Sequence, residues 1–199
     1  MTDKTEKIKR RNKLLEITAW TLATLILIFA FVYFNFLVKE PDYVSYAEGD
    51  RCPDFTISCY TGEDETFNLR SSESKVTVLN FWYTTCGPCV AEIPYFNDLQ
   101  EKYPEEVKVL IIHRVDPAEG EVIKKIEDMG WNGYKAVFAQ DDEVFEFGTV
   151  SLYHGLGGPK SNPYPMTVIL DEDYRITKIR VGGMNYSDLE KEVLKALNN

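Results

Sequence analysis

The chain has 199 residues, enough for one domain of ordinary size plus an appendage, and its 44% hydrophobic share is that of a globular protein. Its net charge of −10 argues against a nucleic-acid-binding role, which needs a basic face against phosphates, and against a main domain lying on anionic lipid. The acidity reads as a solubility property.

The charge is uneven along the chain. Residues 1–13 carry Lys4, Lys7, Lys9, Arg10, Arg11 and Lys13 against only Asp3 and Glu6. From Ile17 to Val38 no residue is charged, and at helical rise this stretch spans about 33 Å, matching a hydrocarbon core of about 30 Å. The basic run before it places the N-terminus in the cytoplasm, and Pro41 is a natural stop. A cleaved signal peptide fits less well, because the small-residue site Ser45-Tyr46-Ala47 lies too far beyond Val38. The organisation expected is a cytoplasmic basic N-terminus (1–13), a transmembrane anchor helix (14–38), a linker (39–50) and an outward-facing domain (51–199).

Phe55 and Ile57 alternate with polar neighbours, which predicts a strand ending near Cys59, and Thr61-Gly62-Glu63-Asp64 is a turn from which Thr66–Leu69 returns as a second arm. Val76–Trp82 is a nearly continuous apolar, β-rich run, as in a central strand covered on both faces. A helix over about Pro88–Tyr103, a strand at Val107–His113, a helix at Ala118–Met129 and a short strand at Ala136–Ala139 follow. Asp142–Phe147 reads as helical, Met166–Leu170 and Ile176–Val181 as a closing hairpin, and Tyr186–Leu197 as a final amphipathic helix. Alternating strands and helices imply an α/β sheet with helices on its faces.

The chemistry sits at Cys86-Gly87-Pro88-Cys89. A buried strand breaks into a turn and Cys86 falls where a helix begins; unpaired N–H groups and the helix dipole there favour an anion. The thiolate is the attacking form of cysteine, so this placement makes Cys86 a nucleophile. Pro88 fits the first turn, where its missing N–H has no helical partner. Cys89, one turn on and facing inward, can resolve a mixed disulfide formed at Cys86. A structural zinc site would set its cysteines on knuckle-like turns without a buried strand behind them, and haem attachment would need His where Val90 stands. A purely structural disulfide remains the other alternative.

The run from Asn80-Phe81-Trp82 through Cys86-Gly87-Pro88-Cys89 to Pro94 resembles the active-site segment of TlpA-like and ResA-like proteins, membrane-anchored extracytoplasmic members of the thioredoxin superfamily of the AhpC/TSA-redoxin type. The likeness runs from about residue 49 to the C-terminus, and Pro53-Asp54-Phe55 resembles the start of that family's extra N-terminal hairpin. The resemblance implies a thioredoxin-like fold, with a mixed sheet flanked by helices and preceded by the hairpin. It further implies that Pro165 is the cis-proline facing the disulfide, with Tyr164 offering backbone contacts to substrate. Glu92 matches the acidic residue that helps move protons at the buried thiol, and Asn80 stands where cytosolic thioredoxins have a buried Asp. Trp82, Gly87 and Pro88 line the substrate side. Pro165 could otherwise be one ordinary proline of a proline-containing loop, Glu92 a helix-start acid favoured by the dipole, and Trp82 a core aromatic. Two departures stand out: Thr85 replaces the usual Trp before the first Cys, and the stretch between Phe147 and Pro165, with Gly148, Gly155, Gly157, Gly158, Pro159 and Pro163, is longer than the family's connection.

Cys52 and Cys59 are seven steps of extended chain apart, more than about 20 Å, whereas a disulfide needs its Cα atoms within about 7 Å. They are expected as buried, unpaired thiols. His113 and His154 are assigned no role.

The resulting expectation is an extracytoplasmic thiol–disulfide oxidoreductase that reduces protein disulfides. Its substrates include apocytochrome c as a candidate, it needs no cofactor, and a CcdA/DsbD-like transmembrane donor re-reduces it. Thioredoxin, with the same dipeptide, has a potential of about −270 mV, which favours donation. Direction depends on the local potential and the available partner, and a disulfide oxidase or isomerase is the alternative. A thiol peroxidase of the peroxiredoxin kind would need a proline and a threonine where Val78 and Tyr83 stand. A non-catalytic docking domain is the third class.

Overall fold

The computed structural model describes residues 2–33, 46–114, 119–141 and 164–199. The expected helix at Asp142–Phe147, the glycine- and proline-rich stretch to Pro163, His154 and residues 34–45 lie outside them. The chain divides into two compact units, Met1–Asp42 and Tyr43–Asn199.

The first unit is one helix, α1 (Thr2–Val32), continuous through the basic run into the apolar segment. Within it Leu15–Val32 is long and apolar enough to cross a membrane. The hydroxyls of Thr18, Thr21 and Thr24 donate to carbonyls three or four residues back, so these polar groups are satisfied within the helix itself.

In the second unit β1 (Thr56–Cys59), β2 (Thr66–Asn68), β3 (Val76–Trp82), β4 (Val107–Arg114), β5 (Val137–Asp141), β6 (Met166–Leu170) and β7 (Ile176–Val181) form one sheet in the order β2-β1-β5-β4-β3-β6-β7. Strands β3, β4 and β5 are parallel, and the outer pairings are antiparallel. Helices α2 (Gly87–Lys102), α3 (Glu119–Asp128) and α4 (Tyr186–Leu197) contribute to one apolar cluster, with Ile93, Phe96, Val122, Ile126, Leu189 and Val193 against Val78, Val109 and Phe138. A second cluster holds Leu79, Phe81, Leu110, Ile112 and Val168, the alternate residues of the same strands. Such strands are buried on both faces, which is why β3 reads as a continuous apolar run. This is a thioredoxin-like α/β fold with an N-terminal hairpin.

The structured unit begins earlier than the expected boundary at residue 51. Gly49 N donates to Ile176 O at 2.7 Å, and Glu48 Oε1 accepts from Ile179 N at 3.1 Å, so residues expected as linker already pair with β7. Helix α2 is seated by amide side chains. Gln100 Nε2 donates to Val107 O at 2.7 Å while its Oε1 accepts from Val109 N at 2.8 Å, copying a strand partner; Asn97 Oδ1 accepts from Lys135 N at 2.7 Å. At the far end Glu190 of α4 accepts from Lys102 Nζ, Tyr103 OH and Tyr186 OH. These contacts fix the helix whose first turn carries the site.

Candidate active site

Strand β3 ends at Trp82, and the chain turns so that Cys86 N donates to Tyr83 O at 3.1 Å. Cys86 then caps α2: its backbone is extended (φ −79°, ψ 99°) and its Sγ accepts from Cys89 N at 3.2 Å. Sulfur therefore occupies the position in which a Ser or Asp oxygen usually satisfies an orphan helix donor. No acidic residue lies in the first turn of α2 to oppose negative charge on that sulfur. Cys86 and Cys89 are joined as a disulfide with Cα atoms 5.3 Å apart. Both are buried, Cys89 completely, while Thr85, Gly87 and Pro88 are exposed around them.

The Tyr164–Pro165 peptide bond is cis. Met166 pairs with Phe81, which sets Pro165 beside the end of β3 where the chain enters the Cys86 turn. Gly182 N donates to Pro165 O at 2.8 Å and anchors that bend to the end of β7. Tyr164 packs edge-on against Tyr83 with ring centroids 5.0 Å apart.

Trp82 takes a different place from the one expected. Its side chain is fully buried, in edge contact with His113, Trp131 and Phe138 at 5.3, 5.9 and 6.0 Å. Because it ends a strand covered on both faces, it supports the turn from beneath and presents no surface to a substrate.

Glu92 is 3% exposed, on the inward face of α2 three residues after Cys89, so the two side chains are neighbours on the helix. Its Oε2 accepts from Met184 N at 2.9 Å and its Oε1 from Asn80 Nδ2 at 2.9 Å. Burial raises its pKa, and the hydrogen bonds from Met184 and Asn80 oppose that rise. Gly183 lies against the same carboxylate, 3.7 Å from Oε2 to the position a Cβ would take. Sequence reasoning missed Met184, Thr167 and the Tyr83 ring as parts of this neighbourhood. It noted Asn80 only as a replacement for Asp; a polar residue inside the apolar run of β3 was the available signal.

The other two cysteines are free. Cys52 is buried, and burial pushes its thiol up to about 12. Cys59 is half-buried rather than buried, because it lies on the short outer hairpin; burial raises its pKa as well.

The Redoxin family model matches residues 47–197. The chain belongs to the Redoxin family. Among Redoxin relatives, thiol-disulfide oxidoreductase ResA of Geobacillus thermodenitrificans is 28% identical over 187 residues, covering 94% of this chain and 97% of its own. ResA of Oceanobacillus iheyensis is 30% identical over 168 residues, covering 83% and 81%. The thioredoxin-like protein YneN of Bacillus subtilis is 28% identical over 162 residues, covering 81% and 86%. Among solved structures, one described as a thiol:disulfide interchange protein DsbE of Chlorobium tepidum matches with a TM-score of 0.61 at 26% identity, covering 77% of this chain and 99% of that one. With the joined Cys86–Cys89 pair, these likenesses make this Redoxin chain a thioredoxin-like, ResA-like thiol–disulfide oxidoreductase.

Proposed function

We propose that the chain is a single-pass membrane-anchored reductant of protein disulfides outside the cytoplasm, with residues 1–13 cytoplasmic, 14–38 in the membrane and the domain that follows the linker facing outward. The observation that carries the reading is the capping of α2 by the Cys86 sulfur, which accepts from Cys89 N at 3.2 Å in a dithiol pair already closed as a disulfide. A thiolate in that position gains the same hydrogen bond and the field of the helix start.

In the forward direction the Cys86 thiolate attacks one sulfur of a substrate disulfide. A Cys86–substrate bond forms, and the second substrate sulfur leaves as a thiolate that takes up a proton from water. Cys89 gives its proton to the Glu92 carboxylate and attacks the Cys86 sulfur. The Cys86–Cys89 bond forms, the mixed disulfide breaks, and the first substrate sulfur, the one Cys86 attacked, departs as a thiol once protonated. The substrate disulfide gains two electrons, and the enzyme pair, which gives them up, is left oxidised. A membrane-embedded dithiol donor of the CcdA/DsbD kind restores the reduced pair.

Thr85, Gly87 and Pro88 form the surface a partner meets, and Tyr164 and cis-Pro165 supply the backbone edge that holds it. Disulfide-containing extracytoplasmic proteins are the substrate class, with apocytochrome c one member.

The test is to express Cys89→Ser in the native cell and separate proteins trapped on Cys86. The expected result is a set of extracytoplasmic proteins held through a disulfide and absent when Cys86 is also replaced. Trapped species that persist without Cys86, or a pair found wholly oxidised in growing cells, would overturn the reductant reading.

A further inference from the structure

The carboxyl of Glu92 sits in a hydrogen-bond arrangement with two possible settings. In the one observed, both oxygens accept, Oε2 from Met184 N and Oε1 from Asn80 Nδ2, each at 2.9 Å. The second Nδ2 proton of Asn80 goes to Thr167 Oγ1 at 3.2 Å. All three side chains are buried, Asn80 completely. This setting suits a carboxylate. It leaves Asn80 Oδ1 buried with no partner among the described residues, an unfavourable position for a strong acceptor.

A proton arriving on Glu92 changes which groups match. The Met184 N–H can only donate, so Oε2 must stay an acceptor and the proton falls on Oε1. There it meets a second donor, Asn80 Nδ2. Half a turn of the Asn80 carboxamide removes the conflict, because Oδ1 takes the place of Nδ2 and accepts from Oε1–H. Thr167 follows, since a hydroxyl can donate as well as accept and turns its proton to the same oxygen. Two hydrogen bonds exist before the turn and two after it, and the Asn80 atom without a partner changes from Oδ1 to Nδ2.

We propose that Asn80 is a positioning residue whose carboxamide turns over with the protonation of Glu92, donating to the carboxylate and accepting from the acid. The buried carboxyl then holds or releases a proton without losing its hydrogen bonds, as a group exchanging protons with Cys89 must. The inference rests on the proposed role of Glu92 and adds the group that makes both of its states tenable.

On its own helix the titratable neighbour of this carboxyl is Cys89, three residues back, which titrates only once the disulfide is opened. The carboxyl's proton affinity is set by burial, Met184 and Asn80, with no charged side chain contributing among the described residues. From the sheet, β3 and β6 present Asn80 and Thr167, and α4 packs with Leu189 and Val193. His113 of β4 contacts Trp82, two residues along β3 from Asn80.

The experiment uses the full-length oxidised protein in detergent. The carbonyl stretch of protonated Glu92 is followed by infrared difference spectroscopy across pH and assigned by its loss in Glu92→Gln. In Asn80→Leu the acid loses its acceptor, so the band moves to higher frequency. The protonation equilibrium moves toward the acid by less than about fivefold, because each state loses one bond and the carboxylate's is the stronger. A fixed Asn80 that only donates predicts an unmoved band and an equilibrium displaced roughly tenfold or more toward the acid, and that result overturns the proposal. Should Asn80→Leu not fold, the unmutated protein decides. The nuclear Overhauser contact between the Asn80 Nδ2 protons and Thr167 is expected to vanish as the Glu92 carboxyl carbon titrates, and its persistence refutes the turnover. Both readings are taken on the closed disulfide without substrate, so their failure is distinct from any failure to trap mixed disulfides.

Discussion

Glu92→Gln separates the two halves of the exchange. Glutamine keeps the size of the side chain and can accept from Met184 N while its amide donates to Asn80 Oδ1, so the site stays packed. What it loses is the ability to take a proton from Cys89. General-base assistance is worth about 10²–10⁴-fold. Glu92 is a helix neighbour of Cys89 at i+3 rather than a group shown in direct contact with its sulfur, which points to the lower end, about 100-fold. Cys86 draws its activation from the helix start and keeps it. The assay is stopped-flow reaction of the reduced full-length protein with Ellman's reagent, which releases one coloured thiolate as the mixed disulfide forms on Cys86 and a second as Cys89 closes the ring. The account predicts that the second phase slows about 100-fold near neutral pH while the first changes less than about threefold. Two phases slowed equally, or neither slowed, would refute the assignment of Glu92 to the buried thiol.

The same substitution should change stability with a definite sign. Burial raises the Glu92 pKa above the ordinary 4.5, so the folded chain holds that proton to higher pH than the unfolded chain does. Its contribution is fully present below about pH 4.5 and is lost as pH rises through the folded value, so Glu92→Gln gains on the parent with rising pH and then levels off; urea midpoints on the oxidised protein across pH check this, and a difference constant with pH would contradict it. Cys52, its thiol pushed up to about 12, should resist iodoacetamide at neutral pH in the folded protein, and non-reducing peptide maps should show only the Cys86–Cys89 link. A Cys52–Cys59 crosslink would contradict the β1 assignment. Trp82→Ala should cost about 3–5 kcal/mol in denaturant unfolding, since a fully buried aromatic leaves a cavity beneath the turn; a loss under about 1 kcal/mol would mean that the ring is not the support described.

Local rules made much of the molecule readable. Period-2 and period-3.6 patterns located β6, β7 and α4 at their observed limits, because Asp171–Asp173 and Asn185 are local turn and cap signals. The Cys86–Cys89 pair was legible because a buried strand, a proline and two cysteines fall in the order that a strand-to-helix turn requires. What stayed hidden depends on contacts distant along the chain. The pairing of β1 with β5 joins Cys59 to Ala139, and no local pattern names that neighbour. The cradle of Glu92 gathers Asn80, Thr167 and a backbone N–H at Met184, residues up to 104 positions apart, and a main-chain donor carries no signature in side-chain identity. The 3-10 turn at Trp131–Gly133 was missed because three residues are too few for periodicity to register. Trp82 was set on the substrate side by the resemblance, although the continuous apolar run of β3 already pointed to a covered strand; Trp131 and Phe138, brought in from another part of the chain, are what cover it.

The account stands on the sulfur of Cys86 being a thiolate because it caps a helix. The most direct measurement is the pH dependence of alkylation at Cys86 in the reduced Cys89→Ser protein, read by mass spectrometry of the Cys86 peptide. The predicted rate profile reaches its plateau well below the usual cysteine range of about 8.5, with reaction at neutral pH roughly tenfold faster than for a free thiol. A profile that rises through about 8.5 like an ordinary thiol, or a Cys86 that stays unreactive, would contradict it.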